Sequence, residues 1–592
     1  MRFRIPGRFN KPVVEDEAAP ENVESTIPHS KETVPTDIQD AGSEGDQSST
    51  EYQHGDEAIR AVTQMWTRRD LIIAYVLIWI ICFIQAFSSS IIYTLTPYVT
   101  SNFNAHSMTA TVSIPASIIS GVIKLPYAKL MNIWGRPQAF GLCIVTMTMG
   151  LIMLPACPNV ATYAAALVFY QVGYSTIDFT CTIFIADTSQ LKSRAFMIAF
   201  AGSPYLATVW AYGPAAQSIL DRLGFRWGLG IWAIIYPIAT VPLFGLFYYY
   251  QWKAQKAGLL KRESSGRTIT ESIKHWVVQF DVVGIFLLSA GLVLFLLAFA
   301  LYSYQPNTWK SPLTICFLVI GGLLVISFTL WEKYLAPVTF VPWHLITDRT
   351  VFFTYTMVAS IYTAWYIWNN YFYSMLVVVF HQSVTHATYI SNIYTMGSCF
   401  MALVIGVVIR VNGRLKWHAL YFGVPLTALG VGLMIHFRQP DVGIGYIVMC
   451  QIFIAFGGGI LVICEQMTVM AVSTQRDIPA VLAVESMISS IGGSIGDAIA
   501  AAMWTGIFPA KLMKYLPSSA LDNFVNIYGD MTVQSSYPIG SPTRDAIEHA
   551  YGDAQRLMLI AACSLYTITL VSVMMWKSIN VKNITQLKGT VW

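Results

Sequence analysis

The stretch PAVLAVESMISSIGGSIGDAIAAAMW, residues 479–504, decides the fold of this chain. It is longer than the roughly 20 apolar residues that a helix needs to cross a bilayer. Two carboxylates, Glu485 and Asp497, interrupt it, and a charged group inside a membrane usually faces a cavity or a partner. A polar segment then extends to Arg556, and this segment is too long to be a turn. The stretch therefore predicts a membrane helix that does more than anchor the chain, followed by a large loop.

The composition extends this prediction to a polytopic membrane protein. Of 592 residues, 55% are hydrophobic and 11% are charged, whereas about 25% are charged in soluble domains. The mean hydropathy is +0.54. Apolar runs of about 20 residues recur, and the alternating ten-residue segments typical of membrane β-barrels are absent from the sequence. We therefore predict an all-α fold whose helices cross the membrane.

Fourteen hydrophobic runs follow a polar N-terminal segment. Residues 1–65 are rich in Glu, Asp, Ser, Thr and Pro, so we expect a disordered tail without a signal peptide. Basic residues concentrate in the loops on the side of the N-terminus, which places both termini in the cytoplasm and loop 509–555 on the opposite side. The predicted spans are 71–93, 107–130, 139–157, 161–186, 196–218, 229–250, 281–302, 312–332, 351–379, 388–411, 417–436, 443–467, 479–508 and 556–577.

The longest inside loop divides these spans into six, two and six. Two six-helix bundles joined by an inserted helix pair agree with the repeated halves of secondary transporters. The predicted regions are a cytoplasmic tail 1–65, a bundle 66–250, a cytoplasmic loop 251–280, a helix pair 281–332, a bundle 333–577 that includes the outward loop 509–555, and a cytoplasmic tail 578–592.

The segment AKLMNIWGRP, residues 128–137, resembles the loop signature G-x-L-x-D-R-x-G-R of the major facilitator superfamily. Gly135 and Arg136 match its glycine–arginine pair, whereas Asn132 replaces its aspartate. The resemblance implies a major facilitator fold and a role for Gly135 and Arg136 at the cytoplasmic gate. A plain basic turn is the alternative interpretation.

A second segment at the same end of the bundle is ADTSQLKSR, residues 186–194. Asp187 and Arg194 are candidates for gate pairs there. Helix capping and the ordinary enrichment of arginine in cytoplasmic loops explain the two residues equally well.

Gly213 and Pro214 begin a possible antiporter motif in the fifth span. Proton antiporters of the superfamily carry G-P-x-x-G-G at this place, but Gln217 and Ser218 replace the last two glycines. A Gly-Pro pair also simply kinks a membrane helix. The pattern favours antiport weakly.

Four intramembrane carboxylates are the candidates for proton coupling: Asp178, Glu465, Glu485 and Asp497. A charge at the centre of a bilayer costs at least about 2.5–3.5 kcal/mol, so such a group usually serves a cavity or a partner. Burial favours the protonated form of a carboxyl group, which suits proton uptake and release. A hydrogen-bonded packing role is the alternative.

The segment YTAWYIWNNYFYSM, residues 362–375, concentrates aromatic and amide side chains in one span. One face of this helix is expected to line a cavity for a bulky amphipathic ligand, and an aromatic belt at the membrane interface is the alternative. The candidate ligand-binding residues are Tyr366, Trp368, Asn369, Asn370 and Tyr373.

Several other functions find no motif in the sequence. His381 and His386 lack neighbouring carboxylates, and no metal-ligand spacing appears, so any metal would arrive already chelated. There is no Walker A sequence and no catalytic arrangement, so we predict neither an ATP-driven pump nor an enzyme. The net charge of +4 is spread over loops and does not indicate nucleic acid. We expect no cofactor.

Longer stretches resemble the fungal siderophore–iron transporters, a fourteen-span family of major facilitators. They include DFTCTIFIADTSQLKSRAF at 178–196, the stretch 479–504 and RDAIEHAYGDAQR at 544–556. The resemblance covers about residues 66–580. It implies import of ferric siderophores, commonly hydroxamates, by proton symport, with the last outward loop taking part in substrate capture or gating. On that basis Tyr551 is the candidate substrate-binding residue of this loop.

The same resemblance sets the expected partners and place. They are a ferric siderophore, protons and the lipid bilayer, with the protein acting as a monomer in the plasma membrane or in an endosomal or vacuolar membrane. Two other functions stay open. One is a proton antiporter that exports drugs or a small thiol peptide such as glutathione, and the other is a non-transporting sensor, for which the short tails offer no structured cytoplasmic domain.

Overall fold

A computed structural model describes residues 65–102, 109–257, 268–302, 305, 307–338, 346–474, 477–529 and 531–584. The predicted N-terminal tail, apart from its last residue, lies outside the described residues. The described part is helical, and its sole β-bridge is the isolated pair Arg414–Asn580. The fold is therefore all-α, as predicted.

The N-terminal half, Arg68–Lys256, begins with the longest of its helices and ends in the basic loop. Its helices are α1 (Arg68–Asn102), α2 (Thr109–Val122), α3 (Lys124–Trp134), α4 (Arg136–Ala156), α5 (Val160–Thr188), α6 (Leu191–Gly202), α7 (Tyr205–Arg222), α8 (Gly224–Gly230) and α9 (Trp232–Lys256).

A short helix and a helix pair follow. They are α10 (Ile269–Gln279), α11 (Val282–Leu301) and α12 (Pro312–Leu330). The capping box of Thr268 and Glu271 begins α10. Helices α11 and α12 pack against each other, and α11 also contacts α2.

The C-terminal half is Arg349–Met574. Its helices are α13 (Arg349–Asn369), α14 (Phe372–Val378), α15 (Val384–Ser391), α16 (Ile393–Asn412), α17 (Leu415–His418), α18 (Val424–Phe437), α19 (Ile444–Val472), α20 (Ile478–Tyr515), α21 (Phe524–Gly529), α22 (Met531–Ser536) and α23 (Pro542–Met574).

Helices occupy the described residues of all fourteen predicted spans. Eleven of the described helical segments are long and apolar enough to cross a membrane. The remaining three predicted spans coincide with α2 and α3, with α5, and with α13 and α14. These helices carry buried polar groups, such as Thr180 of α5 and Thr354 of α13, which lower their hydropathy.

Each half has its own set of packed helices, and a smaller set of contacts joins the two halves. Within the halves, α4 packs on α5 and α13 packs on α20 and α23. Between them, α2 and α3 pack on α20, while α6 and α7 pack on α16. The division into two bundles and an inserted pair stays a prediction.

The glycines of α20 bring this helix close to α13. A Cβ on Gly493 would lie 2.6 Å from the ring of Tyr366, and one on Gly496 would lie 2.6 Å from the carbonyl oxygen of Thr363. Small residues permit such an approach between membrane helices.

The predicted loop 509–555 is largely helical, which corrects the boundaries of the last two spans. Helix α20 continues to Tyr515, and α23 already begins at Pro542 behind the N-cap Ser541. In α23 the buried residues Ile547, Tyr551, Ala554 and Met558 recur at helical spacing, while polar residues occupy the other face. Because of those polar residues, hydropathy alone did not predict a helix in this part of the sequence.

Candidate functional site

Lys124, the first residue of α3, makes a polar contact between the two halves. Its Nζ donates a hydrogen bond to Oγ of Ser486 on α20. The ammonium also lies within electrostatic range of Asp178 on α5 and of Glu485 on α20. From the sequence alone, Lys124 was expected to snorkel or to pair with a gate residue, and its actual partner Ser486 lies far away along the chain.

Glu485 and Glu465 bring two carboxyl groups together on the side of the C-terminal half. They are 5% and 1% exposed, and they interact electrostatically. Oε2 of each has no hydrogen-bond partner among the described residues. An ionised carboxylate without a partner is unfavourable in such surroundings. Protonation of the carboxylate oxygen removes this unfavourable charge.

Asp178 faces a cavity of about 240 Å³ between the two halves. Ligand pockets usually measure about 300–1,000 Å³, so this cavity suits water rather than a large ligand in the present conformation. Its polar lining comes from both halves and includes Gln85, Tyr174, Asp178, Ser398, Cys399 and Gln466.

The fourth predicted carboxylate, Asp497, lies apart from this group. Its Oδ1 accepts a hydrogen bond of 2.7 Å from Nδ2 of Asn370. Tyr93 of α1 is 82% exposed, yet its phenol lies within electrostatic range of Asp497 on the opposite half. Tyr93 and Asp497 therefore approach each other from the two halves, and we call this region, on the side predicted to face outward, the outer opening.

Four of the five aromatic and amide candidates remain accessible. Tyr366, Asn369, Asn370 and Tyr373 are partly exposed, and Tyr366 is within electrostatic range of Tyr93 across the outer opening. The placement of Trp368 corrects the prediction for that residue.

Trp368 is fully buried, with its ring between Phe372 and Tyr394. Its carbonyl oxygen accepts a 2.7 Å hydrogen bond from Arg438. It is a packing residue in this conformation, because a run of aromatic residues on one helix also presents a face to the protein core.

Tyr551 is likewise inside the protein rather than on a loop. It belongs to α23, is 2% exposed and packs edge-on against Trp504 and Phe508. Its phenol donates a 2.8 Å hydrogen bond to Oε1 of Gln534. In this conformation the residue fixes α22 to α23 and does not reach the outer opening.

The gate candidates form contacts mainly within the N-terminal half. Arg136 Nη2 pairs with Asp187 Oδ2 at 2.8 Å, so the pair joins α4 to α5. Gly135 adopts φ +100° immediately before Arg136, a conformation that favours glycine. This turn orients the guanidinium toward Asp187.

Arg194 has a different set of partners. It is fully buried and donates hydrogen bonds of 2.7 and 3.1 Å to the carbonyl oxygens of Ala186 and Ser189. It lies within electrostatic range of Asp187 and 3.9 Å from Sδ of Met470 in the C-terminal half. Arg194 thus fills the contact between the halves at the predicted cytoplasmic end.

Among the described residues, no group of three or more His, Cys, Asp or Glu side chains is placed to hold a metal ion.

The sequence matches the family model of the Major Facilitator Superfamily over residues 78–496. It is 53% identical to MFS siderochrome iron transporter 1 of Ajellomyces capsulatus, over 92% of this chain and 93% of that protein. It is 39% identical to the siderophore iron transporter mirB of Emericella nidulans, over 94% and 92% of the two chains. The chain belongs to the fungal siderophore–iron transporters of this superfamily. It is therefore a multi-pass membrane transporter and not an enzyme.

Solved structures of major facilitators share the fold of this siderophore–iron transporter family member. The human organic anion transporter MFSD10 matches 83% of this chain and 98% of its own, with a TM-score of 0.50 and 9% identity. The proton:xylose symporter XylE matches 84% and 95%, with a TM-score of 0.50 and 10% identity. At these identities the matches concern the fold alone.

Proposed function

We propose that the protein imports ferric siderophores of the hydroxamate type together with protons. One observation carries this proposal: Lys124 bonds across the contact between the halves to Ser486 and lies within electrostatic range of Asp178 and Glu485, and Glu485 interacts in turn with Glu465. We call Lys124 and these three acidic residues the charge cluster. Because the charge cluster lies at the contact between the halves, protonation of its carboxyl groups changes the attraction that holds the halves together.

The charge balance of the cluster supports proton binding. One ammonium neutralises one carboxylate, which leaves two carboxyl groups without a cation in a membrane interior. Because uncompensated charge there costs several kcal/mol, protons are the natural counterpart for these groups. The cavity in front of Asp178 is large enough for water molecules that would carry a proton to the cluster.

The outer opening supports a chelated substrate rather than a bare metal ion. The phenols of Tyr93 and Tyr366 can donate hydrogen bonds to the oxygen atoms of a hydroxamate complex, and Asn370, whose Nδ2 bonds to Asp497 and to the carbonyl oxygen of Tyr366, holds the carboxyl group beside them. The relatives named siderochrome iron transporter and siderophore iron transporter support the same substrate class. Iron enters as cargo within the chelate and needs no ligand from the protein.

We further propose that the protein works as a monomer in the plasma membrane, with both termini in the cytoplasm. The even number of predicted spans and the basic loops on one side support this orientation. Microscopy of a C-terminal fluorescent fusion distinguishes the plasma membrane from an endosomal or vacuolar membrane.

Uptake in yeast cells that lack siderophore transporters tests the function. Cells that express the protein should accumulate radioiron from ferrichrome, a ferric hydroxamate, and a protonophore should abolish accumulation. Asp178→Asn should lower accumulation by about tenfold or more, while Asp441→Asn, which changes an exposed carboxylate, should not.

Two outcomes would contradict the proposal. One is the absence of accumulation although the protein reaches the cell surface. The other is accumulation that persists unchanged with the protonophore, which would mean that iron entry is not coupled to protons.

A further inference from the structure

We propose that Lys124 is a latch that a proton releases. Its ammonium holds α3 to α20 while Glu485 is ionised, and protonation of the carboxyl groups frees the two halves to part at this level. The inference rests on the proposed function, because the proton that releases the latch is the proton that is transported.

The position of Lys124 suits a latch. It begins the helix that leads to Gly135 and Arg136 at the predicted cytoplasmic end. Glu485 lies in the third turn of α20, close to the same end. The contact therefore lies between the outer opening and the predicted cytoplasm, where an inward-opening movement must separate α3 from α20.

The titratable groups around Lys124 and Glu485 are carboxyl groups and phenols, so Lys124 itself supplies the positive charge of the latch. Asp178 approaches the ammonium from α5, and Glu485 approaches it from α20. Glu465 of α19 and the phenols of Tyr355 and Tyr362 on α13 face Glu485. The phenol of Tyr355 donates a 2.9 Å hydrogen bond to the carbonyl oxygen of Val481, so it is engaged elsewhere.

On the other side, Asp178 has neutral titratable neighbours. They are the thiols of Cys82 and Cys181 and the phenols of Tyr174 and Tyr205. None of them supplies a positive charge. Lys124 is therefore the cation shared by one carboxylate from each half.

The release step follows from this sharing. A proton arrives through the cavity and adds to a carboxylate oxygen of Asp178, and a second proton adds to Glu485. The attraction between Lys124 and α20 then falls to the hydrogen bond with Ser486. The halves can part toward the cytoplasm, and deprotonation on that side restores the attraction that closes them again.

Removing the latch should separate exchange from accumulation. Proteoliposomes with Lys124→Met should keep counterflow, in which external radioiron-labelled ferrichrome exchanges with internal unlabelled ferrichrome without a pH gradient. They should lose accumulation driven by an inward proton gradient by about tenfold or more, because the carboxyl groups no longer have a cation that favours release of the proton. Lys124→Arg keeps the charge and should retain accumulation, as should the exposed control Lys192→Met.

Glu485→Gln provides an independent variant, because it removes the other partner and leaves the lysine in place. It should also keep counterflow and lose proton-driven accumulation, and it decides the matter if Lys124→Met does not reach the membrane. Normal proton-driven accumulation by either variant overturns the inference and leaves the proposed function intact. The inference is also overturned if each variant loses counterflow and accumulation to the same extent. A contact that only stabilises the structure would impair the two kinds of transport equally. Failure of the unaltered protein to accumulate ferrichrome would instead refute the proposed function.

Discussion

Two polar contacts of basic side chains differ in what they join. Arg136 and Asp187 pair at 2.8 Å between α4 and α5, both in the N-terminal half. Lys124 reaches from the N-terminal half to Ser486 and Glu485 in the C-terminal half. A transporter that alternates its access must preserve contacts of the first kind and break contacts of the second kind. The first is therefore expected to stabilise the fold, and the second to report on the transport cycle.

Two glycines show the same difference between a contact within one half and a contact between the halves, and no charge is involved. A Cβ on Gly150 would lie 2.3 Å from the backbone nitrogen of Tyr170 within the N-terminal half. A Cβ on Gly406 would lie 2.8 Å from Cα of Phe196, across the contact between the halves. Both contacts are too close for a side chain, but two halves can move apart and two helices of one bundle cannot.

The largest expected effect is that of Gly150→Val. The new side chain meets backbone, which cannot rotate away, so we expect a loss of about 3 kcal/mol and little folded protein in the membrane. Thermal unfolding of the purified protein and its membrane yield measure this. Gly245→Val is the matched control, because no atom lies within 4 Å of its Cβ position. Equal behaviour of the two variants would contradict the packing of α4 on α5.

Arg136→Ala should have the next largest effect. It leaves the mostly buried Asp187 without this partner, which we expect to cost about 2 kcal/mol of stability. The double variant with Asp187→Asn should recover part of the loss, and each folded molecule should keep its proton-driven uptake. The account would be contradicted if Arg136→Ala lost the coupling of uptake to protons while its stability stayed unchanged. The pair of Arg136 and Asp187 would then act in the transport cycle, as the contacts between the halves do.

Tyr551→Phe should have a smaller effect of about 1 kcal/mol, from the lost hydrogen bond to Gln534. Because the residue is buried within the C-terminal half, the KM for ferrichrome should not change. An increase in KM with unchanged stability would return Tyr551 to the substrate site.

Gly406→Val should have the smallest effect on unfolding, below about 1 kcal/mol, because the halves can part to accept the side chain. Hydrogen exchange of α6 should nevertheless increase, since α6 packs against α16 at this contact. A loss of stability as large as that of Gly150→Val, without faster exchange of α6, would mean that the halves do not move separately.

The fold was predictable because runs of apolar residues are a local property of the sequence, and all fourteen runs became helices. The loop 509–555 was misjudged because polar residues on the exposed face of α23 conceal the spacing of Ile547, Tyr551 and Ala554. Trp368 was misjudged because composition does not tell which face of an aromatic helix is buried.

The charge cluster was predictable only in part. Its carboxylates are conspicuous among apolar neighbours, whereas Lys124 gains its meaning from Ser486, which lies 362 positions away along the chain. The pairing depends on how the halves come together, and no local pattern encodes it.

The most direct test of proton coupling measures pH inside proteoliposomes when ferrichrome is added outside. No pH gradient is imposed, and a trapped dye reports the internal pH while radioiron reports entry. The account predicts that entry of ferrichrome acidifies the interior with the unaltered protein and that Glu485→Gln abolishes this acidification. Entry of ferrichrome at the same rate without any change in internal pH would contradict it.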